Sequence, residues 1–238
     1  MALPRGTWSV AMSLCIACVL VTLSSANAGT IYVDDDAPLA GNGASWQTAY
    51  RYLQDALWVA GNGDEIHVAQ GTYTPDRDEG GSVTAGDRAA TFYLIYGVSL
   101  YGGYAGVGAV SSDERDVELY ETILSGDLNG NDVEILDPAD LPDEPTRAEN
   151  SYHIVTGSAC DQTTVLDGFT ITGGNASSYW SGGGGMYNYG GSPTVSNCVF
   201  TGNRASRLGG AMHNRQYSSP TITGCVFAGN IAASSDPY

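Results

Sequence analysis

Lysine is absent from the chain, and all nine basic residues are arginines. Acidic residues number 26, which gives a formal net charge of −17. Residues 29–167 hold 25 of the acids and five arginines (5 − 25 = −20), whereas residues 168–238 hold one acid and three arginines (3 − 1 = +2). A chain with this charge repels phosphate backbones, so we expect no nucleic-acid partner. We interpret the acidic half as solubilising charge that is also able to attract divalent cations.

Long apolar runs are confined to the first 28 residues. Arg5 precedes an apolar run at residues 10–23, and residues 26–28 read Ala-Asn-Ala. This order predicts a signal peptide that is cleaved after Ala28. The run is too short for a helix that crosses a membrane. We therefore expect a secreted, extracellular or cell-surface protein with no membrane span.

One short sequence motif occurs twice between residues 183 and 230. Its cysteines, Cys198 and Cys225, are 27 residues apart (225 − 198 = 27). A fainter third copy lies upstream at residues 166–173, at an offset of 29 from the first. Repeats of this length predict a solenoid, a propeller or an array.

Each copy predicts two short strands joined by a sharp corner. Apolar residues alternate along the copy, and the alternation slips by one residue at Asn197. The same position is Gly224 in the second copy and Gly168 in the upstream copy. All three residue types adopt positive φ at low cost. We therefore predict an all-β fold, a parallel β-helix whose coils stack about 4.8 Å apart.

The repeats also carry a family resemblance. Phe200 to Asn203 and Phe227 to Asn230 share the pattern Phe-x-x-Asn, and residues 209–212 read Gly-Gly-Ala-Met. These motifs resemble the Phe-x-x-Asn and Gly-Gly-Ala-(Ile/Leu/Val) repeats of polymorphic outer membrane proteins. More broadly, the chain resembles the secreted β-helices of the pectate-lyase-like superfamily, which implies a right-handed parallel β-helix, a solenoid. That superfamily contains lyases, hydrolases, adhesins and passive shafts, so the resemblance implies a fold and no single activity.

The front half of the mature chain predicts the start of the solenoid. A strand at residues 30–33 precedes a helix over residues 46–60, with Ser45 as its N-cap and apolar residues on one face. We expect this short α-helix to cover the N-terminal end of the β-helix, because a bare edge invites stacking by other molecules. The predicted single domain, residues 29–238, divides as follows: strand, capping helix and first coil at 29–75, acidic loop excursion at 127–150, and clearest repeats at 166–230.

The cysteines exclude a disulfide framework. Cleavage of the signal peptide removes Cys15 and Cys18 and leaves Cys160, Cys198 and Cys225, an odd number. Because Cys198 and Cys225 occupy the same inward position of adjacent coils, we predict a ladder of apolar thiols. A disulfide between these two residues is the alternative.

The acidic excursion contains a candidate calcium loop. Asp127, Asn129, Asn131 and Asp132 resemble the start of such a loop, with oxygen ligands at positions one, three and five. The segment departs from the EF-hand pattern, since Asp132 stands where glycine is needed and residue 138 is proline in place of the closing glutamate. Calcium is therefore a hypothesis, and its alternative is a polar loop rich in turn-forming residues.

Two groups of residues are candidates for ligand binding. Tyr179 and Trp180 lie on a loop, and aromatic faces stack on sugar rings, although packing against the solenoid is the alternative use of such rings. The second group is the basic residues of the repeats, whose alternative is solvated loop charge: Arg204, Arg207 and Arg215. The three histidines are far apart in sequence and are interpreted as surface residues: His67, His153 and His213.

Carboxylates are absent between residues 168 and 235. A usual glycosidase needs two carboxyl groups that flank the scissile bond, so the repeats alone cannot form one. Lyases of the resembled superfamily hold calcium with aspartates and use an arginine as base. We predict a binding module for polysaccharide or a cell-surface partner protein, with two alternatives: a calcium-dependent pectate-type polysaccharide lyase, and a structural shaft or passenger domain.

The repeats also predict how neighbouring coils contact each other. We expect Phe200 and Phe227 to stack in the core with Ile171 on the other side, and Asn203 and Asn230 to form a ladder of side-chain amides. The last copy is followed by eight residues without a helical pattern, at residues 231–238. We therefore expect a solenoid that is cut from a longer array and self-associates end to end through its open edge.

Overall fold

The computed structural model describes residues 28–177 and 182–233, so residues 1–27 of the predicted signal peptide lie outside it. The described residues form many short strands and few helices, an all-β class of fold. The strands are β1 Thr30–Val33, β2 Glu65–Ala69, β3 Gly71–Tyr73, β4 Phe92–Tyr93, β5 Ser99–Tyr104, β6 Thr122–Ser125, β7 Val155–Thr156, β8 Val165–Asp167, β9 Thr170–Thr172, β10 Asn175–Ala176, β11 Met186–Tyr189, β12 Thr194–Ser196, β13 Val199–Thr201, β14 Arg204–Ala205, β15 Met212–Arg215, β16 Thr221–Thr223, β17 Val226–Ala228 and β18 Ile231–Ala232. The helices are α1 Leu53–Val59 and three short 3-10 helices, Trp46–Thr48, Pro138–Asp140 and Pro145–Arg147. No helix in these two ranges is long and apolar enough to cross a membrane.

The strands form four parallel sheets. Their strand orders are β1-β2-β5-β8-β12-β16, β3-β6-β9-β13-β17, β4-β7-β11-β15 and β10-β14-β18. In the six-stranded sheet, Val195 lies opposite Ile222 on one side and Leu166 on the other. These pairs are 27 and 29 residues apart, the same offsets at which the copies align in sequence. Each copy thus adds one strand to the six-stranded sheet and one to the five-stranded sheet, and the predicted repeat register is confirmed.

The corner between these two sheets has the predicted backbone conformation. Gly168, Asn197 and Gly224 have φ of 82°, 50° and 63°. A left-handed residue reverses the side-chain alternation between the two strands, which lets apolar residues on both strands face the same interior. Only glycine and asparagine occupy the position, in agreement with the low cost of positive φ for these residue types.

The core is built from side chains that repeat on adjacent strands. In the five-stranded sheet, Leu124, Ile171, Phe200 and Phe227 are in register, and the first three are fully buried. Burial of one such side chain stabilises the fold by roughly 1.5–3 kcal/mol. In the last repeat the same slots are open, because Phe227 is 45% exposed and Ile222 is 42% exposed.

The predicted contacts between Phe200 and Phe227 and between the two asparagines are confirmed. The rings of Phe200 and Phe227 stack with centroids 4.9 Å apart and an interplanar angle of 5°. Asn203 Nδ2 donates to Asn230 Oδ1 at 3.0 Å and to the backbone oxygen of Ile171 at 2.8 Å. Its Oδ1 accepts the backbone N–H of Gly174, so this buried side chain joins two adjacent turns of chain.

The predicted helix over residues 46–60 is wrong in extent. It is divided into the 3-10 helix Trp46–Thr48 and α1, with the intervening Tyr50 bridged to Val33 of β1. Tyr50 N donates to the backbone oxygen of Tyr32 in β1, and Asp34 N, just after β1, donates to the backbone oxygen of Tyr50. These bonds draw the chain out of the helical conformation. α1 does cover the end of the core, because Leu53 and Leu57 are buried in it. Ser45 makes no capping hydrogen bond.

Candidate functional site

The outer face of the five-stranded sheet forms the floor of a groove. Alternate residues of its strands point away from the core, and they include Thr72, Ile123, Thr172 and Thr201. Together with the excursion at residues 127–150 they enclose a volume of about 540 Å³, here called the main groove. Hydroxyl groups on a flat floor offer hydrogen bonds to a ligand without a strong charge.

The excursion forms the wall of the main groove and is tied to the sheet. Arg147 Nη2 donates to the backbone oxygen of Gly202 at 2.6 Å, and Asn150 Nδ2 donates to that of Gly173 at 2.6 Å. Leu141 is buried against the sheet side. The acidic segment therefore lies against the repeats, although the repeats contain no carboxylate between residues 168 and 235.

The main groove runs across the strands. Its lining extends from Thr72 on β3, across β6, β9 and β13, to Gly229 beside β17. Neighbouring strands lie about 4.8 Å apart, so five strands span about 19 Å. A groove of this length and direction suits a linear chain that lies along the stacking axis.

The wall is acidic. Asp127, Asp132 and Glu134 line the main groove, and Arg147 is the basic residue that offsets them. Arg147 Nη1 lies 3.2 Å from Asp132 Oδ2. Burial nevertheless raises the pKa of Asp132 to about 6, against the lowering effects of its hydrogen bond from Asn150 and of the Arg147 charge.

Three carboxylates of the excursion converge. One oxygen each from Asp127, Asp132 and Glu149 lies within 4.8 Å of the others. Two of these residues belong to the predicted calcium loop, and Glu149 was missed because it lies 17 residues beyond Asp132 (149 − 132 = 17). Asn129, another residue of the predicted calcium loop, is exposed.

The side chain of Asn131 completes the cluster. Its amide end lies 2.6 Å from Glu149 Oε1 and 3.3 Å from Asp127 Oδ1. With the nitrogen turned toward them, Asn131 donates two hydrogen bonds. This nitrogen-inward orientation is the one that satisfies the amide, because both neighbouring atoms are carboxylate oxygens that accept hydrogen bonds.

Of the five predicted ligand-binding residues, the structure describes the three arginines. Tyr179 and Trp180 lie outside the described residues. Arg207 and Arg215 are exposed, Arg207 in the loop after β14 and Arg215 at the end of β15. Arg204 is 9% exposed and donates from Nη1 to Asn175 Oδ1 at 2.8 Å.

The histidines are not simple surface residues. The ring of His67 stacks on Tyr104 with centroids 4.4 Å apart and also packs against Tyr32 and Tyr101, and its side chain is 17% exposed. His153 stacks on Tyr187, which contacts His213 in turn. Sequence spacing missed these clusters because their members lie on adjacent strands and far apart along the chain.

The main groove itself was not predicted. Its sequence signal is the outward threonines directly adjacent to buried core positions, which is visible only once the strand register is known. No protein-family model, no curated protein and no solved structure matches the chain. The chemistry of the site therefore rests on its own residues.

Proposed function

We propose that the four parallel sheets form a right-handed parallel β-helix and that the protein is a secreted or cell-surface module that binds a linear polysaccharide in the main groove. The repeat offsets, the parallel pairing and the positive-φ corners support the β-helix. The observation that carries the function is the main groove, which crosses five strands and is lined by hydroxyl and carboxylate groups.

The lining suits sugar hydroxyls. Carboxylates such as Asp127 and Glu134 accept hydrogen bonds from sugar O–H groups, and the threonine floor both donates and accepts. Exposed apolar side chains on the wall, Val133 and Leu136, offer contact to the less polar faces of sugar rings. A partner protein remains the second kind of ligand that a groove of this form accepts.

Calcium is the second part of the proposal. The cluster of Asp127, Asp132 and Glu149 supplies carboxylate oxygens, which are the ligands that calcium prefers. A bound calcium ion would supply positive charge at the wall of the main groove and neutralise the clustered carboxylates. The cluster residues would hold the ion, while Arg147 keeps Asp132 oriented.

Binding of calcium predicts a rise in melting temperature with ion concentration, reversed by a chelator. Asp127→Ala and Glu149→Gln should each abolish this rise. Asn129→Ala is the matched control, because this residue belongs to the same loop and its side chain is exposed. Melting curves that do not respond to calcium would leave the cluster as a hydrogen-bonded loop.

A calcium-dependent lyase is the alternative from a different class. Arg147, the arginine beside the clustered carboxylates, is 5% exposed and is held by Asp132 and the backbone of Gly202. A base must reach a substrate proton, and this guanidinium is already engaged. The geometry therefore favours binding over elimination.

The function is tested with an array of polysaccharides and with polygalacturonate as an enzyme substrate. Thr201→Trp places a bulky ring on the floor of the main groove and should abolish polysaccharide binding. Val199→Trp is the matched control, since Val199 is also an outward residue of β13 but lines a different pocket. Unsaturated product from polygalacturonate would establish the lyase instead, and equal binding by both variants would exclude the main groove as the site.

A further inference from the structure

A second, smaller pocket lies at the N-terminal end of the same face. It has a volume of about 250 Å³ and shares Thr72 with the main groove. Its polar lining, here called the arginine pocket, is Asp35, Arg51, Tyr52, Thr72, Thr74 and Arg77. The volume is that of a small ligand, below the roughly 300–1,000 Å³ of common drug-sized sites.

Arg51 and Arg77 have N–H groups that are not fully hydrogen-bonded within the described residues. Arg51 donates from Nε to the backbone oxygen of Ala37 at 2.7 Å, and its two terminal nitrogens have no acceptor within the described residues. Arg77 makes only long contacts, 3.5 Å to Asp76 Oδ1 and 3.5 Å to the backbone oxygen of Leu128, and its side chain is 49% exposed. A guanidinium group is suited to bind a carboxylate through two parallel hydrogen bonds.

Arg51 differs from the other arginines of its region in how few partners it has. Residues 29–167 hold five acids for every arginine (25 against 5), and Arg77, Arg115 and Arg147 each lie within ion-pair distance of an aspartate. Arg88 forms no ion pair but donates three hydrogen bonds and lies over the ring of Tyr152. Arg51 also forms no ion pair with a described residue, and it lines the arginine pocket together with Asp35.

The rest of the lining suits a polyhydroxylated molecule. The hydroxyl groups of Tyr52, Thr72 and Thr74 make no hydrogen bond to any described residue, so they are available to a ligand. Asp35 Oδ2 accepts the backbone N–H of Thr72 at 3.0 Å and keeps further lone pairs toward the pocket. A bare anion would be repelled by Asp35, whereas a sugar hydroxyl would donate to it.

We propose that the arginine pocket binds one acidic sugar unit, with Arg51 and Arg77 on its carboxylate and Asp35 and the pocket hydroxyls on its ring hydroxyls. The inference rests on the proposed polysaccharide-binding function and narrows its ligand to a polysaccharide that carries carboxylated units. Because the pocket and the main groove share Thr72, a chain in the main groove places one unit in the arginine pocket.

The test measures binding of three small probes to the full chain by NMR titration: glucuronate, glucose and inorganic phosphate. We expect glucuronate to bind, glucose to bind at least about tenfold more weakly, and Arg51→Gln to weaken glucuronate by a similar factor. Arg215→Gln is the matched control, since it removes an exposed arginine on another sheet. If Arg51→Gln fails to fold, the half-exposed Arg77→Gln replaces it.

Three results would overturn the proposal. If glucose binds as tightly as glucuronate, the charge has no role in recognition. If phosphate binds and glucuronate does not, the pocket is a simple oxyanion site. If the Arg51 and Arg77 variants bind glucuronate as the parent does, the arginine pocket is not the binding site. The Thr201→Trp variant separates this inference from the proposed function, since it should block the polysaccharide and leave glucuronate binding intact. A Thr201→Trp variant that loses polysaccharide binding and keeps glucuronate binding would support both the proposed function and the arginine pocket. A parent protein that binds polysaccharide but not glucuronate would contradict only the proposal for the arginine pocket.

Discussion

Phe200 and Phe227 offer a matched pair of core substitutions. They occupy the same position of consecutive repeats and stack with centroids 4.9 Å apart, but Phe200 is fully buried and Phe227 is 45% exposed. Truncation of a buried Phe to Ala costs about 3–5 kcal/mol, so we expect that loss for Phe200→Ala. Phe227 buries roughly half as much of its side chain, so Phe227→Ala should cost about half, roughly 1.5–2.5 kcal/mol.

Urea unfolding followed by circular dichroism measures both losses. The double variant should lose less than the sum of the single losses by about 0.5–1.5 kcal/mol, because the ring pair is broken in either single variant. Unfolding of Phe200→Ala at the same urea concentration as the parent would refute the coil register. If the two variants lost the same free energy of unfolding, Phe227 would be as buried in solution as Phe200.

Three further predictions follow from buried polar groups and the open edge. Asn203→Leu leaves buried backbone partners unsatisfied at about 1–3 kcal/mol each, and Asn230→Leu, at a less buried site, should cost less in the same urea assay. Burial raises the pKa of Asp132 from 3.8 to about 6 in the folded protein. As the pH falls, the folded protein therefore binds a proton at Asp132 at a higher pH than the unfolded chain does. The free energy of unfolding without calcium should accordingly increase as the pH falls from about 6 toward 3.8. Asp132→Asn should lack that gain, and identical pH profiles would contradict the shift. The exposed edge strands β16 and β17 should drive end-to-end self-association, and a sedimentation profile that stays monomeric at every concentration would argue against it.

The predicted calcium loop shows how much local spacing can predict. Asp127, Asn131 and Asp132 were predicted together because they lie within six residues, and the structure keeps them together. Glu149 joins them because the excursion folds back on itself, and no local pattern encodes that return. Arg204 was predicted as a ligand contact, with solvated loop charge as the alternative, and the structure buries it beside Asn175.

The strand register of the repeats could be predicted from the amino-acid sequence alone. Repeated copies impose the same inward positions, and residues that tolerate positive φ mark the corner, so Val195, Asn197 and Phe200 could be placed without any tertiary information. The segments that cover the sheets are positioned by tertiary contacts. The main groove and the arginine pocket depend on where the non-repeating excursion and α1 come to rest, and those contacts join residues far apart in the chain. A periodic pattern encodes neighbours one repeat away, whereas non-repeating segments are positioned by contacts that have no period to reveal them.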